Sequence, residues 1–153
     1  PILKQHRDRI APEIIGNIER GLNIKPSQIF EAERVRIELF KKILVFFETH
    51  DFLICPAASI APFPVDQRYV KEIDGKPCET YIDWFSITFA LTMTACPTIS
   101  VPCGFTSEGL PVGIQIMGKP RGEGELLLAA KQFEAAIGIS AQLPITPQKQ
   151  KLT

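Results

Sequence analysis

The chain has 153 residues, 45% of them hydrophobic, with 17 basic and 17 acidic side chains and a formal net charge of zero. That is enough chain for one domain with a real core. The absence of a basic excess argues against nucleic acid or an acidic membrane as partner, and no run approaches the ~18 consecutive apolar residues of a membrane span.

At the start, Ile2 and Leu3 are followed at once by Lys4, Gln5, His6 and Arg7, which is not a secretory signal pattern. Asp8 to Arg20 predicts a helix, with Ile10, Ile14 and Ile18 on one stripe, Pro12 in the first turn and Gly21 as C-cap. Ser27 to His50 predicts the longest helix, with Ser27 as N-cap and Glu31 and Glu33 near the positive end of the dipole. Phe30, Ile37, Phe40, Leu44 and Phe47 form its apolar stripe. Arg34, Arg36, Glu38, Lys41 and Lys42 form a solvated face rather than a binding patch.

Phe52 to Cys55 reads as a short buried strand ended by Pro56, and Pro56 to Pro64 must be a loop. A loop directly after a buried strand in an α/β sheet often borders the ligand crevice. Ala57, Ala58 and Ser59 are therefore candidates for substrate contact, with a plain structural loop as the rival reading. Val65 to Thr80 is a polar excursion whose Asp74-Gly75 pair could close a small hairpin. Tyr81 to Thr94 alternates aromatics with hydroxyls and predicts a helix. Trp84, Ile87 and Leu91 share one stripe; Phe85, Thr88 and Thr92 share the next. Such a mixture suits a pocket wall, while Thr hydroxyls bonded back to the preceding turn are the structural alternative.

Thr98 to Phe105 and Val112 to Met117 read as two strands joined through the turn residues Ser107, Gly109 and Pro111. Both runs are nearly continuously apolar, which predicts strands covered on both faces. Pro102 cannot donate to a ladder, so its strand lies at an edge, is bulged, or ends there. Gln115 is the polar exception; a buried Gln satisfied by backbone is weighed against a site role. Glu123 to Ile137 predicts an amphipathic helix closed by Gly138, and the tail beyond Ser140, residues 141–153 above all, is expected to fray.

The chemistry is sparse. The sequence contains no G-x-S-x-G, no Gly-rich phosphate loop and no C-x-x-C. Cys55, Cys78, Cys96 and Cys103 are irregularly spaced and far in sequence from His6 and His50, so no zinc site is indicated. Free thiols in a reducing, cytoplasmic protein are expected, with no cofactor.

One stretch carries a family resemblance. P-T-I-S-V-P-C-G-F (97–105), then G-L-P-V-G-I-Q-I-M-G (109–118), then a Glu-bearing helix, resembles the C-terminal part of amidase signature enzymes. Members of that family commonly read P-A-I-S-V-P-x-G and G-L-P-x-G-x-Q-x-x-G there. Glu33 to Arg36 and D-F-L-I-C-P (51–56) resemble the family's A-x-x-x-R helix and D-x-L-x-x-P strand. The likeness runs over roughly residues 7 to 147.

The resemblance implies an α/β class: residues 1–153 as a single region, the C-terminal portion of an α/β/α fold built on a mixed sheet. It implies hydrolysis of a non-peptide carboxylic amide by a Ser–cis-Ser–Lys triad. No position in this chain matches the triad, so no residue is assigned as catalytic. It places Trp84, Phe85, Thr88, Phe89 and Thr92 near the acyl side of a small-molecule amide. The partner it implies is the N-terminal portion of the same enzyme; without it, the chain should self-associate through exposed apolar surface. The A subunits of glutamine-dependent amidotransferases usually read D-x-x-T-x-x-x-N in this helix, followed by L-A-G. Here Phe85, Thr88 and Thr92 stand at those positions, followed by Met93-Thr94-Ala95. An aromatic ring in place of a carboxylate favours an apolar acyl group and a general amidase. A stand-alone binding or assembly module of the same fold and a fragment of an amidotransferase A subunit are the alternatives.

Overall fold

A computed structural model describes residues 2–138, so the expected fraying of residues 141–153 lies outside the described residues. The elements are α1 (Ile2–Gln5), a 3-10 turn (Arg7–Arg9), α2 (Pro12–Leu22), α3 (Pro26–Phe46) and β1 (Leu53–Pro56). The short strands β2 (Glu72–Ile73) and β3 (Lys76–Pro77) follow, then a 3-10 turn (Asp83–Phe85), α4 (Ser86–Ala90) and a further 3-10 turn (Leu91–Thr94). The chain continues through β4 (Thr98–Phe105), β5 (Pro111–Met117) and α5 (Glu123–Ile137).

β5 is the central strand of a sheet ordered β1-β5-β4, with Ile116 opposite both Ile54 and Ile99. Helices and sheet together give the expected α/β class, but every ladder among the described residues is antiparallel. The expected mixed sheet therefore has no parallel pair here. Strand alternation divides the core in two. One cluster joins Val101 and Ile116 to Leu126 and Ala130 of α5, with Phe133 packed against it. On the opposite sheet face, Met117 meets Cys96 and Phe47, flanked by Phe40, Ile43, Leu53 and Leu91. Burial on both faces is why β5 reads as an apolar run. Pro102 sits on the edge strand of this sheet, beside the irregularity where Pro102 pairs with Gly113 and Gly104 with Val112. Cys103 is the extra residue of that bulge.

The turns follow their local chemistry. Asp74 and Gly75 have φ of 50° and 72°, as a two-residue hairpin turn requires, and they join β2 to β3. Between β4 and β5, Thr106 Oγ1 accepts the N–H groups of Glu108 and Leu110 at 3.2 Å each.

Helix boundaries depart from expectation at prolines. α2 begins at Pro12, not Asp8, because the residue before proline is driven out of the helical region; Ala11 has ψ of 137°. Ile10 therefore lies outside the helix. Gly21 is not the C-cap: the helix runs to Leu22, and the Asn23 side chain donates to Glu19 O at 2.8 Å. α3 likewise begins at Pro26 rather than being capped by Ser27; the Lys25 N–H donates to Gln28 Oε1 at 2.9 Å. It ends at Phe46, short of His50, whose ring stacks on Phe46 at 4.3 Å. Arg34 pairs with Glu31 and Glu38, and Arg36 with Glu33, all exposed, which is the solvated face expected.

Tyr81 to Thr94 is helical in character but not one helix. It is a 3-10 turn, five residues of α4, and another 3-10 turn. β-Branched and aromatic side chains give it weak intrinsic helix preference. Thr92 and Thr94 donate to the carbonyls of Phe89 (2.5 Å) and Leu91 (2.6 Å), three residues back, the spacing of a 3-10 turn. Ala95, at φ 56°, ends it.

Candidate functional site

Where β1 ends, Pro56 turns the chain off the sheet and the loop to Phe63 runs over the start of β5. Together with Trp84 and Pro111–Gly113 this loop encloses a cleft of about 470 Å³. Its lining is alanine, proline, isoleucine and aromatic side chains, with Ser59 as the polar member. Gly113 forms part of the floor: a Cβ there would stand 3.1 Å from Val101 O and 3.5 Å from the Ala57 side chain. A side chain there would press the neighbouring strand and the loop apart by a few tenths of an ångström.

Aromatic rings continue from the cleft along the helical segment. Phe63 meets Trp84 edge-on at 5.4 Å, Trp84 meets Phe85 at 5.4 Å, and Phe85 meets Phe89 at 5.7 Å. Tyr81 sits against both Trp84 and Phe85, with Tyr69 behind it. T-shaped pairs at such separations are favourable beyond their buried area. The Trp84 Nε1–H is buried and has no partner among the described residues. An unpaired buried donor costs about 1–3 kcal/mol.

The structure treats the five expected wall residues differently. Trp84 lines the cleft, beside Ala57, Ala58 and Ser59. Phe85 and Phe89 extend the aromatic row away from it. Thr88 is exposed, and its hydroxyl donates across the fold to Ala57 O at 3.2 Å. Thr92 bonds back to Phe89 O, the structural alternative for these hydroxyls. Sequence reasoning passed over Phe63, Ile60 and the start of β5 as lining residues. The run of prolines and alanines marked the loop, but nothing local marked which of its side chains turn inward.

Gln115 is buried, and its side-chain N–H groups go to backbone: Nε2 donates to Pro56 O at 3.1 Å and Ile87 O at 3.2 Å. Beside it, burial pushes the Cys55 thiol above its ordinary range, so the thiolate needed for nucleophilic attack is disfavoured. All four cysteines are free thiols. Among the described residues, no group of three or more His, Cys, Asp or Glu side chains is placed to hold a metal ion. No helix among them is long and apolar enough to cross a membrane.

Known proteins resemble this chain both in sequence and in fold. The family described as Amidase matches residues 2–127. The chain is 34% identical over 149 residues to the A subunit of the glutamyl-tRNA(Gln) amidotransferase from Alkaliphilus metalliredigens, covering 94% of this chain and 29% of that protein. It is 32% identical over 124 residues to an acylamidase of Rhodococcus erythropolis, covering 80% of this chain and 25% of the relative. A bacterial aryl acylamidase of the amidase signature family superposes with a TM-score of 0.78 at 25% identity, over 94% of this chain and 31% of that one. The chain thus spans less than a third of the length of these relatives, and it belongs to the amidase signature family.

Proposed function

We propose that this chain forms the acyl-pocket wall and part of the supporting core of an amidase that cleaves the C–N bond of a small or aromatic carboxylic amide. The nucleophile, base and oxyanion donors of amide hydrolysis are assigned to the Ser–cis-Ser–Lys triad outside this chain. The observation that carries the reading is the aromatic row from Phe63 through Trp84 and Phe85 to Phe89, set beside an apolar cleft at the end of β1. An apolar cleft with few orienting polar groups binds and aligns an acyl chain or ring, which lowers the entropic part of the barrier. Ser59 is the polar side chain of its lining. The N-terminal portion of the same enzyme is the partner proposed for the exposed apolar faces of α2 and α3. Without it the isolated chain self-associates. The free thiols support a cytoplasmic setting.

A second reading, part of the A subunit of a glutamine-dependent amidotransferase, is favoured by the name of the relative 34% identical to this chain. Phe85 stands against it, because a phenyl ring offers no charge to glutamine's ammonium group. The test is to join this chain to an amidase-signature N-terminal portion and assay amide cleavage. Hydrolysis of acetanilide or benzamide, with glutamine untouched, is the expected result. Glutaminase activity in preference to aryl amide hydrolysis would overturn the first reading. In that reconstituted enzyme, Phe85→Asp is expected to shift preference away from aromatic acyl groups; an unchanged preference removes Phe85 from the pocket.

A further inference from the structure

The loop after β1 and the helical segment, the cleft's two walls, are joined beneath by side chains that its apolar lining does not call for. Gln115 is 6% exposed and sits between apolar residues in β5. A primary amide carries two N–H donors, and here they go to different elements: Pro56 O at the start of the loop and Ile87 O in α4. Thr88, the next residue of α4, donates to Ala57 O. The Ala57 N–H in turn donates to Gly113 O at 2.9 Å. Two consecutive carbonyls, the last of β1 and the first of the loop, are therefore each held by a side chain, one from the sheet and one from the helical segment. The ladder and the Ala57 N–H fix the loop's start against β5, and Phe63 meets Trp84 across the cleft; the Gln115 and Thr88 bonds add the polar link from the helical segment to that start.

We propose that Gln115 and Thr88 are positioning residues that set the width of this cleft and so the size of the acyl group it accepts. This rests on the cleft being the acyl site. Gln115 suits the task because its side chain reaches both carbonyls from one strand position. Leu there would leave two carbonyls unpaired, and Glu would aim carboxylate oxygens at them.

The test uses this chain joined to an amidase-signature N-terminal portion, with Thr88→Val, Thr88→Ser and Gln115→Leu, benzamide as ligand, and hydrogen exchange of peptides covering residues 56–64 and 83–94. Thr88→Val is expected to raise exchange in those two peptides alone and to weaken benzamide about threefold, with Tm unchanged. Thr88→Ser keeps the hydroxyl and restores both. Gln115→Leu is expected to weaken benzamide by more than ~10-fold. Wild-type exchange and wild-type Kd in Thr88→Val would overturn the clamp. If the joined wild-type enzyme binds no benzamide yet Thr88→Val still loosens both peptides, the clamp stands and the acyl-site reading falls.

Discussion

The β4–β5–α5 unit and the α2–α3 arm are written in the same language of apolar stripes, yet only the first closes a buried core, and even there Leu127 and Leu128 of α5 stay exposed. In the first, Leu126 and Ala130 are buried against Val101 and Ile116. In the second, neither helix buries a single residue fully. Within the stripe predicted for α3, Phe40 packs and Phe47, just past the helix, is buried, whereas Phe30 and Ile37 remain 76% and 50% exposed. Ile14 and Ile18 of α2 are exposed as well. An amphipathic pattern says that a face needs covering; it does not say that the cover lies in the same chain. A chain spanning 29% of its 34%-identical relative carries stripes whose proposed partners are elsewhere.

The largest test of this contrast is a matched pair of truncations. Met117 is 0% exposed, and Met117→Ala is expected to cost about 2–5 kcal/mol in urea denaturation. Ile37→Ala removes a comparable side chain from α3 and is expected to change stability by less than about 0.5 kcal/mol in this chain. A cost for Ile37→Ala near that of Met117→Ala would show that α3 is already covered, and the contrast would fail. Addition of the N-terminal portion is expected to raise the Ile37→Ala cost toward core values, as closure of the open face requires.

Glycines sharpen the same comparison. A Cβ at Gly122 would stand 2.9 Å from Lys119 O, in the tight turn that launches α5. Gly122→Ala is expected to destabilise by about 1–3 kcal/mol. Gly16, inside α2, has nothing within 4 Å of such a Cβ. Gly16→Ala is expected to stabilise by about 0.5–1 kcal/mol in thermal unfolding, through helix propensity alone. A destabilising Gly16→Ala would mean that another surface rests on α2.

The smallest effect is electrostatic. The hydrogen bond from Arg34 holds the Glu31 carboxyl below its ordinary range. A depressed carboxyl contributes stability at neutral pH, above its unfolded value, and loses that contribution as pH falls through the folded value. Because the pair is exposed, Arg34→Gln is expected to make only a small difference to stability between neutral and acid pH, diminishing in 1 M salt. Urea midpoints across that range measure it; a difference as large as that for Met117→Ala would place the pair in a covered interface.

Much of the fold was legible because its signals are local. The β4 and β5 runs, the Asp74-Gly75 hairpin, α5 and its Gly138 end are each stated by neighbours a few residues apart. The strand irregularity at Pro102 follows from one missing N–H. The misplaced helix starts are local too: Pro12 and Pro26 each outweighed a candidate start or cap nearby. The Tyr81–Thr94 segment was harder. Its stripes fit a helix, but threonine hydroxyls compete for backbone carbonyls and broke it into shorter pieces.

By itself the sequence determined that two apolar strands flank a tight turn, that an amphipathic helix follows, and that the motif between Pro97 and Gly118 belongs to amidase signature enzymes. Each of those rests on residue order and short-range sterics. Only the tertiary structure decided that Trp84 meets the Pro56–Phe63 loop across a cleft and that Gln115 ties two elements, 59 and 28 residues away, together. It also decided which part of the α3 stripe finds a core. Such contacts depend on how strand order and pleat bring distant segments to one face, and no local pattern encodes that distance.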